Sequence, residues 1–509
     1  MPLGSGRICE KNGNSLLDSG VFPKNIRFNK FYLHDYSKRI KKDNYIQKIS
    51  LSYELEKLMK MHIGFDDTDS PRGGCTTYIA AILIERLHKL GVSLIDYPEL
   101  VRLNPNVPWK TRGNGAVCFR ILCSEDLQDE VKEHVVQTVE EQADLSYKGT
   151  DPGVVFLTGD VPSEIEAFAK RVITGLVTKD EALTLIRKYK AEAYGFKKGR
   201  GIIGGLAAIG EQLKEDYTYE LLSYRVPENR GIPRKIKESS VVEMDKKLGN
   251  LVFNNVDYET GRILITPRGP DPVLYGIRGE TPEAVRRGHE LVVSEEPIER
   301  WVIFRTNQGT DSHLKKIIAI SQVKPYSPVI VRGRVSEEPK IIKGGHVIFK
   351  VRDGMDEIDC AAYEPTGSLR RIVKRLIIGD LVEVYGGVRP PSQSNPTTIN
   401  IEKIKIIETV PLLMYRNPPC PICGKRMKSM GKGKGFECKR CGFRSGDLKK
   451  IVINVKRHLK PGLYVTPPRS QRHLTKPLSR YGQEKRKPPD FIGKTIPYEK
   501  VYRCYYPSE

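Results

Sequence analysis

The sequence lacks any run of about 18 consecutive apolar residues, the length that a membrane-spanning helix requires. Its first residues do not follow the basic, apolar and small-residue order of a secretory signal, so we expect a protein of the cytoplasm. Only ten of the 509 residues are cysteine, and only four of these form close pairs. This usage excludes a disulfide framework and favours a metal site in a reducing compartment.

Acidic residues are in deficit, with 62 Asp and Glu against 85 Lys and Arg and a formal net charge of +23. Such an excess favours polyanionic partners, because each cation that meets a phosphate releases a condensed counterion. The alternative is a proteome whose proteins are basic throughout. The hydrophobic fraction of 39% is enough to bury several cores, and a chain of this length predicts three or four domains.

Changes of pattern along the chain predict its domains. The start is polar and basic without periodicity; we expect a non-native extension from a misassigned start or a disordered arm, with a true RNA-binding arm as the alternative. From His62 onward, strands and helices indicate a multidomain α+β fold. The predicted regions are an extension over 1–60, a catalytic domain over 61–150 that can include later segments, a ferredoxin-like α+β domain over 151–315, an OB-fold over 322–410, a zinc ribbon over 415–450 and a basic RNA-binding tail over 451–509.

Residues 326–408 show the clearest pattern, with three strand-like runs, a short helix and two further strand-like runs. This is the order of the OB-fold, and Gly333 and Gly386 fall where barrel strands must bend. OB-folds often bind single-stranded nucleic acid; the alternative use is a protein contact.

The strongest single motif is a pair of Cys-x-x-Cys knuckles, Cys420 with Cys423 and Cys438 with Cys441. Four thiolates predict a closed tetrahedral Zn²⁺ site, which is structural and not catalytic. A segment this small needs the metal to fold. Lysines and arginines lie between the knuckles, so a basic ribbon beside an OB-fold points to RNA.

The last segment, residues 451–509, contains thirteen Lys or Arg against four Asp or Glu. Tyrosines are interleaved with these charges, and aromatic rings can stack on bases while the cations track phosphates. We expect RNA contact here; the alternative is a solvated, partly disordered tail.

Three carboxylates, Asp66, Asp67 and Asp69, follow a strand-like run within four residues. Such crowding is tolerable where a divalent cation such as Mg²⁺ neutralises it. The alternative is a turn that caps the next helix. The following glycines and hydroxyls suit a phosphate at a helix N-terminus; they are Gly73, Gly74, Thr76 and Thr77.

Two further turns are basic and glycine-rich, at Lys110–Gly115 and at Lys197–Gly201. Each alone could be an ordinary surface turn. Together with the acidic cluster they predict a phosphate-transfer site. The candidate phosphate-binding residues in these turns are Lys110, Arg112, Asn114, Lys198 and Arg200.

These motifs closely resemble those of the archaeal 2-agmatinylcytidine synthetase family, which acts on the minor isoleucine tRNA with a CAU anticodon. The resemblance covers the chain from about residue 61 to near its end, and residues 1–60 depart from it. The stretches that carry it are 63–70, 73–78, 102–108, 110–117, 198–201 and 272–279, followed by the OB-fold and ribbon in the same order.

The resemblance implies a kinase-like N-terminal domain and conjugation of agmatine to carbon 2 of the wobble cytidine, so that the tRNA reads AUA. It implies ATP with Mg²⁺, phosphoryl activation of the cytosine 2-oxygen and displacement by the agmatine amine. It also implies an autophosphorylated threonine, Thr76 or Thr77; we favour Thr76, which directly follows Cys75. The implied partners are the CAU-anticodon isoleucine tRNA and agmatine, with no membrane and no obligate protein partner.

Within this scheme, the three carboxylates of the acidic cluster would hold Mg²⁺ or position the nucleophile. The cations of the two basic turns would neutralise phosphate charge in the transition state. Agmatine is a dication, so its pocket needs carboxylates and an aromatic or backbone rim. The candidate pocket residues are Tyr275, Gly276 and Arg278.

Two alternatives remain at this stage. One is a non-catalytic tRNA-binding or RNA-processing factor built on the OB-fold and ribbon. The other is a different ATP-dependent RNA ligase or kinase, which would use ATP without agmatine. Lysidine-type synthesis is disfavoured, because the Ser-Gly-Gly-x-Asp-Ser type of loop is absent from the sequence.

Overall fold

The computed structural model describes residues 58–490 and 494–506. The predicted N-terminal extension lies outside the described residues, except for residues 58–60, which begin the first strand. Within the part of the chain that is described, no helix is both long and apolar enough to cross a membrane.

One large sheet with helices packed against it forms the first half of the molecule. Its main path has the strand order β10-β7-β11-β3-β4-β1-β5-β6, while β2 pairs with β4. In chain order the elements are β1 (Leu58–Asp66), α1 (Thr76–Lys89), β2 (Ser93–Leu94), β3 (Glu99–Arg102), β4 (Gly115–Ser124), α2 (Gln128–Gln142), β5 (Gly153–Thr158), α3 (Ser163–Thr174), α4 (Lys179–Lys188), β6 (Glu192–Gly195), α5 (Gly201–Gly210), β7 (Thr218–Arg225), α6 (Glu238–Leu248), β8 (Val256–Asp257), β9 (Arg262–Ile263), β10 (Val273–Gly279), α7 (Pro282–Leu291) and β11 (Ile298–Thr306).

The sheet is continuous because a short parallel pair joins its two halves. Arg305 and Thr306 of β11 lie beside Glu99 and Leu100 of β3. Buried ion pairs reinforce the junction: the Glu99 carboxylate lies 2.6 Å from Arg305 and 2.7 Å from Arg120. The two arginines offset only part of the desolvation cost, since burial still raises the pKa of Glu99 to about 7. The two halves therefore form one continuous sheet.

Glycines set how closely α5 lies on this sheet. A Cβ at Gly64 of β1 would lie only 2.0 Å from the Gly205 carbonyl oxygen. A Cβ at Gly204 would lie 1.9 Å from Oδ2 of Asp66. Because no real side chain tolerates such distances, glycine at these positions lets α5 press directly against the end of β1. This contact fixes the place of the acidic turn that follows β1.

A closed five-stranded barrel follows the sheet. Its elements are β12 (Pro328–Ile341), β13 (Val347–Asp353), β14 (Asp356–Ala362), α8 (Gly367–Val373), β15 (Leu381–Arg389) and β16 (Thr398–Glu408). The barrel closes where β14 and β16 pair in parallel, with Cys360 beside Ile399. Three strands, a helix and two strands is the predicted OB-fold order, so this part of the fold prediction is confirmed.

The cysteine motif lies in a small three-stranded unit that is carried on a two-stranded stem. The stem pairs β17 (Leu412–Arg416) with β21 (Ile451–Val455), and the unit contains β18 (Lys428–Ser429), β19 (Phe436–Glu437) and β20 (Arg444–Ser445). Cys420, Met427, Phe436 and Cys438 form its only buried cluster among the described residues. A core this small agrees with the expectation that metal holds the unit together.

The chain then adds one strand to the barrel and one to the large sheet. β22 (Gly462–Val465) adds to the barrel beside β16, and β23 (Tyr502–Cys504), which follows α9 (Tyr498–Val501), pairs with β11. Between them, residues 466–485 form what we call the C-terminal strap. Arg480 of the strap is buried and lies 2.5 Å from Glu280 and 2.9 Å from Asp216. Much of the basic charge of the C-terminal strap therefore forms ion pairs inside the folded protein.

Candidate functional site

A cavity of about 580 Å³ opens beside the end of β1, and we call it the central cavity. Segments far apart in sequence form its walls: the acidic turn, the start of α1, the loop between β3 and β4, α5, β7, β10 and the strap. Its charged and hydroxyl-bearing lining consists of Asp66, Asp67, Asp69, Thr76, Thr77, Arg102, Lys110, Thr111, Arg112, Lys179, Arg200, Glu220, Thr266, Asp271 and Arg278, joined by Cys75, Asn114 and His473.

Asp67 is held in a sparsely populated backbone conformation, with φ of 61°. Its Oδ2 accepts a hydrogen bond from the Asp151 amide at 3.2 Å and lies 2.7 Å from a guanidinium nitrogen of Arg200. Burial raises the pKa of Asp67 to about 6, although Arg200 opposes that rise. The strained turn thus points this carboxylate at a cation from α5.

Asp66 is the least compensated member of the cluster. Burial, followed by the nearby charge of Asp67, raises the pKa of Asp66 to about 8. Among the described residues, no lysine or arginine forms an ion pair with it. A buried carboxylate next to another one needs a cation or a proton. Carboxylate oxygens are donors that Mg²⁺ prefers, although among the described residues only the four ribbon cysteines form a group of three or more potential ligands within 4.8 Å of one another.

Asp69 binds the first basic turn. Its Oδ1 accepts a short hydrogen bond from the hydroxyl of Thr111, and Nε of Arg112 lies 3.7 Å from its Oδ2. Nη1 of Arg112 also donates to the Gly74 carbonyl oxygen at 2.9 Å. Burial raises the pKa of Asp69 above its usual range. The two turns that looked independent in the sequence are thus one assembly.

The first backbone amides of α1 have no side-chain acceptor among the described residues. Cys75 at the N-cap position makes no side-chain cap, and the first turn contains no acidic residue. Thr68 donates to the hydroxyl of Thr76 at 3.0 Å, and the hydroxyl of Thr77 lies 3.0 Å from the Cys75 sulfur. Uncapped first-turn amides beside two hydroxyls suit an anionic group such as phosphate.

Gly73 and Gly74 do not line the cavity. They shape the turn behind it, where Gly74 adopts a φ of 73°. The amide of Gly73 donates to the Ser70 carbonyl oxygen at 3.3 Å. Their place supports the acidic turn and leaves phosphate contact to the helix that follows.

Lys198 also lies outside the cavity lining, unlike Arg200, its partner in the same basic turn. Its side chain is exposed, and its backbone carbonyl oxygen accepts a hydrogen bond from Nζ of Lys179 at 2.7 Å. Lys179 lines the cavity in its place. The sequence places Lys198 and Arg200 in one turn, but only the packing of the turn decides which side chain points inward.

Of the three predicted pocket residues, Gly276 and Arg278 line the cavity and Tyr275 does not. Tyr275 thus lies outside the lining of this cavity, and its role in the substrate pocket stays a prediction. Successive side chains of β10 point to opposite faces of the sheet, and the Tyr275 hydroxyl lies 2.8 Å from Nδ1 of His289 in the other face. Arg278 instead donates from Nε to Glu220 at 3.0 Å.

Sequence reasoning missed several lining residues, among them Glu220, Arg102, Asp271 and His473. Glu220 is a lone carboxylate inside the buried strand β7, and such an isolated charge could have flagged it. Arg102 and Asp271 flank strands without a motif of their own. His473 comes from the strap, beyond both the barrel and the ribbon, so no local pattern could have placed it at the cavity.

The four predicted zinc ligands do converge. Their sulfur atoms all lie within 4.8 Å of one another. The Cys420–Cys441 and Cys423–Cys438 sulfur pairs are 3.5 and 3.4 Å apart. A tetrahedral Zn²⁺ with bonds of about 2.3 Å requires sulfur atoms roughly 3.8 Å apart, so the arrangement fits the ion. The predicted ribbon is confirmed.

The fold and the site together define a multidomain protein of the nucleic-acid-binding class, with an OB-fold, a four-cysteine ribbon and a cavity that brings five carboxylates together with six Lys or Arg side chains. Comparison with known families gives matches to the TiaS TCKD domain over residues 62–198, the TiaS FLD domain over 199–313, an OB-fold nucleic acid binding domain over 329–407 and the TiaS C-terminal zinc ribbon domain over 417–459.

Individual relatives agree with these matches. The isoleucine tRNA 2-agmatinylcytidine synthetase TiaS of Staphylothermus marinus is 45% identical over 85% of this chain and 96% of its own length. A crystal structure of TiaS in complex with its isoleucine tRNA and ATP is 42% identical, with a TM-score of 0.75 over 83% of this chain and 97% of that one. A complex of TiaS with that tRNA, AMPCPP and agmatine is 40% identical, with a TM-score of 0.73 over 83% of this chain and 97% of that one. The chain therefore belongs to the isoleucine tRNA 2-agmatinylcytidine synthetase family.

Proposed function

We propose that this protein uses ATP to conjugate agmatine to carbon 2 of the wobble cytidine in the CAU anticodon of the minor isoleucine tRNA. The observation that carries the proposal is the convergence of the acidic turn, the α1 start and both basic turns on one cavity. The membership of the family supports the same reaction. A tRNA substrate and reduced cysteines together favour the cytoplasm as the place of action.

The chemistry requires an activated base, because the cytosine 2-carbonyl is a poor electrophile. In the proposed route, a phosphoryl group passes from ATP to the 2-oxygen. The agmatine nitrogen lone pair then attacks carbon 2, the phosphorylated oxygen leaves as phosphate, and the amine loses its proton. The cavity must therefore hold phosphate, base and amine together, and much of the rate follows from this positioning.

We assign the acidic turn to a divalent cation. Asp66, Asp67 and Asp69 would hold Mg²⁺, which when bound would neutralise phosphate charge. The raised pKa values of Asp66 and Asp67 support this assignment, since a cation removes the cost of burying adjacent carboxylates. The close packing of α5 through Gly204 would keep Asp66 in place.

We assign phosphate binding to the cations of the two basic turns and to the start of α1. Lys110, Arg112 and Arg200 would neutralise the charge that develops during transfer, with Asn114 beside them. The first-turn amides of α1 would accept a phosphate, and Gly73 and Gly74 would shape that turn. Lys198 would act at longer range from its exposed position. Thr76 or Thr77 would carry the phosphoryl group; the cavity-facing Thr76 hydroxyl, which accepts from Thr68, favours Thr76.

For agmatine we propose the part of the cavity between β7 and β10. Gly276 leaves room there, since a Cβ at that position would lie 3.1 Å from the Glu220 carboxylate. Asp271 offers a second carboxylate, paired at 3.9 Å with Arg112 and at 3.4 Å with Arg234. Burial raises the pKa of Asp271, so an additional cation would stabilise its charged form.

The tRNA would lie across the C-terminal half. The ribbon presents a cationic surface whose exposed members are Lys425, Arg426, Lys428, Lys432, Lys434, Lys439 and Arg440. These side chains suit backbone phosphates, while the barrel suits single-stranded nucleotides. The wobble base must leave the anticodon stack to enter the cavity.

The test is incubation of the zinc-loaded protein with ATP, radiolabelled agmatine and the CAU-anticodon isoleucine tRNA. We expect ATP-dependent label in the tRNA and none in a transcript whose wobble base is not cytidine. Absence of label with a folded, zinc-loaded protein would refute the proposal. ATP consumption with tRNA but without agmatine would instead indicate a different RNA kinase or ligase.

A further inference from the structure

His473 is a lining residue to which the proposed reaction assigns no role. It belongs to the C-terminal strap, and the strap fixes its backbone: the His473 carbonyl oxygen accepts from the Gly309 amide at 2.8 Å. The next residue, Leu474, is buried in the apolar core with Val101 and Leu103. These contacts fix the His473 ring at the cavity, although it belongs to the C-terminal part of the chain.

A buried relay decides which ring nitrogen carries the hydrogen. The Gln308 side-chain amide donates a short hydrogen bond to Glu220, so its oxygen Oε1 faces His473. Oε1 lies 2.9 Å from Nδ1 of His473 and can only accept, so Nδ1 must donate. The contact of Nδ1 with Arg278, at 3.5 Å, is longer and weaker. Nε2 is therefore the nitrogen with the free lone pair.

The ring is neutral, since burial together with the charges of Arg102, Arg278 and Lys110 holds the pKa of His473 well below its usual range. Among the described residues, no hydrogen-bond partner contacts Nε2. Nε2 is thus an acceptor without a partner in the described part of the chain, on a cavity wall that also carries cations. A neutral N–H donor of a ligand would satisfy it.

A donor stands beside this acceptor. A Cβ built at Gly113 would lie 2.7 Å from Nε2 of His473 and 2.7 Å from Nη1 of Arg102. Any side chain at Gly113 would displace both atoms, so glycine lets them lie close together at the cavity wall. An acceptor next to a donor matches cytosine, whose exocyclic amine donates and whose N3 accepts. Uracil presents the reverse pattern at the same two positions.

We propose that Nε2 of His473 accepts a hydrogen bond from the exocyclic amine of the target cytosine, with Arg102 donating to N3, and that this pair selects cytosine over uracil. The inference rests on the proposed function, because it assigns a part of the same cavity to the base. It makes Gln308 and Glu220 positioning residues that set the tautomer of the ring.

The test is a double-mutant cycle between protein and tRNA. One form of the isoleucine tRNA carries cytidine at the wobble position and the other carries pyrimidin-2-one, which lacks only the exocyclic amine. The wild-type protein should prefer cytidine by about tenfold to a hundredfold in kcat/KM, since a site built for a donor rejects its absence. In His473→Ala the preference should fall below about threefold.

The controls keep the outcomes distinct. Gln308→Leu frees the ring tautomer while keeping the histidine, and it should also shrink the preference; it serves as the second variant if His473→Ala is unstable. Gln471→Ala lies on the same strap but contacts Asn254 and Thr466 outside the cavity, so its preference should remain that of the wild type.

An unchanged preference in His473→Ala would overturn the inference, and so would a rise confined to the KM for agmatine, which would assign the ring to the amine. The same tRNA pair is compared by binding in the presence of AMPCPP, which requires no agmatine transfer. Wild-type protein that binds cytidine preferentially but labels no tRNA would refute the proposed function and leave the base contact standing.

Discussion

The zinc ligands all lie between residues 420 and 441, whereas the lining of the central cavity comes from positions between 66 and 473. The cavity buries its charges, and burial raises the pKa values of its carboxylates. The ribbon exposes its lysines and buries little besides cysteine sulfur, one methionine and one phenylalanine. We infer that the buried region carries the chemistry and that the exposed region carries the grip on RNA.

This division predicts the largest effect for the acidic turn. Asp66→Asn removes the carboxylate that lacks an ion pair, so phosphate charge in the cavity would lose its cation. We expect agmatine transfer to fall on the order of a thousandfold, with tRNA affinity within about twofold of the wild type. Transfer kinetics and a tRNA binding assay measure the two quantities. A parallel loss of tRNA binding would contradict the inference that the buried cavity carries the chemistry while the ribbon binds RNA.

A variant of the ribbon should have the converse effect, weakening tRNA binding more than turnover. Cys438→Ser removes one of four thiolates, so the unit loses zinc and its small core. We expect tRNA affinity to fall about tenfold or more, with turnover at saturating tRNA largely retained. Zinc content, binding and turnover are measured together. Cys504→Ser, in β23 and outside the ribbon, is the matched control. Normal tRNA binding by the zinc-free variant would remove the ribbon from the RNA interface.

A smaller effect is expected where the strap joins the barrel. Glu402 of β16 is buried, yet His313 at 3.1 Å and Thr475 at 2.6 Å, with Arg472 nearby, hold its pKa down to about 2. Because the folded-state pKa is lowered, the stabilisation is present above the ordinary value near 4.5 and is lost as the pH falls toward 2. Its full size is on the order of 3 kcal/mol.

Glu402→Gln should therefore lower the unfolding free energy most at neutral pH. Denaturant unfolding between pH 7 and pH 3 measures the gap between variant and wild type, which should narrow as the pH falls. The control is Glu408→Gln, whose ion pair with Arg334 is exposed and worth little. A gap that stays constant with pH would show that packing at Glu402, and not its charge, holds the strap.

The smallest effect tests the two faces of β10. Tyr275→Phe removes a hydroxyl that lies 2.8 Å from His289 on the face away from the cavity. We expect the KM for agmatine to change by less than about twofold. Gly276→Val, one residue on, would crowd Glu220 and Leu222 and should raise that KM severalfold. Steady-state kinetics of both variants decide this; an equal effect would mean that β10 lines the cavity on both faces.

Sequence reasoning succeeded where residues close along the chain share one job. The acidic turn, the α1 hydroxyls and the four cysteines were all predicted and lie as neighbours. It did not decide the orientation of side chains, which depends on packing: Lys198 is exposed, and Tyr275 points into the opposite face. A turn or a strand can be read from residue types, but the direction of one side chain depends on which face meets which neighbour.

Local spacing and composition were enough to predict the OB-fold order, the zinc motif, the basic character and the acidic turn. The union of the two halves of the sheet through β3 and β11, and the path of the strap across the barrel to the cavity, emerged only in the folded chain. These contacts link residues far apart in the chain, and burial and hydrogen bonding, not any local pattern, bring them together. The cluster of Asp66, Asp67 and Asp69, the neighbouring hydroxyls and the basic turns were visible in the sequence, and the fold brought them into one cavity together with His473.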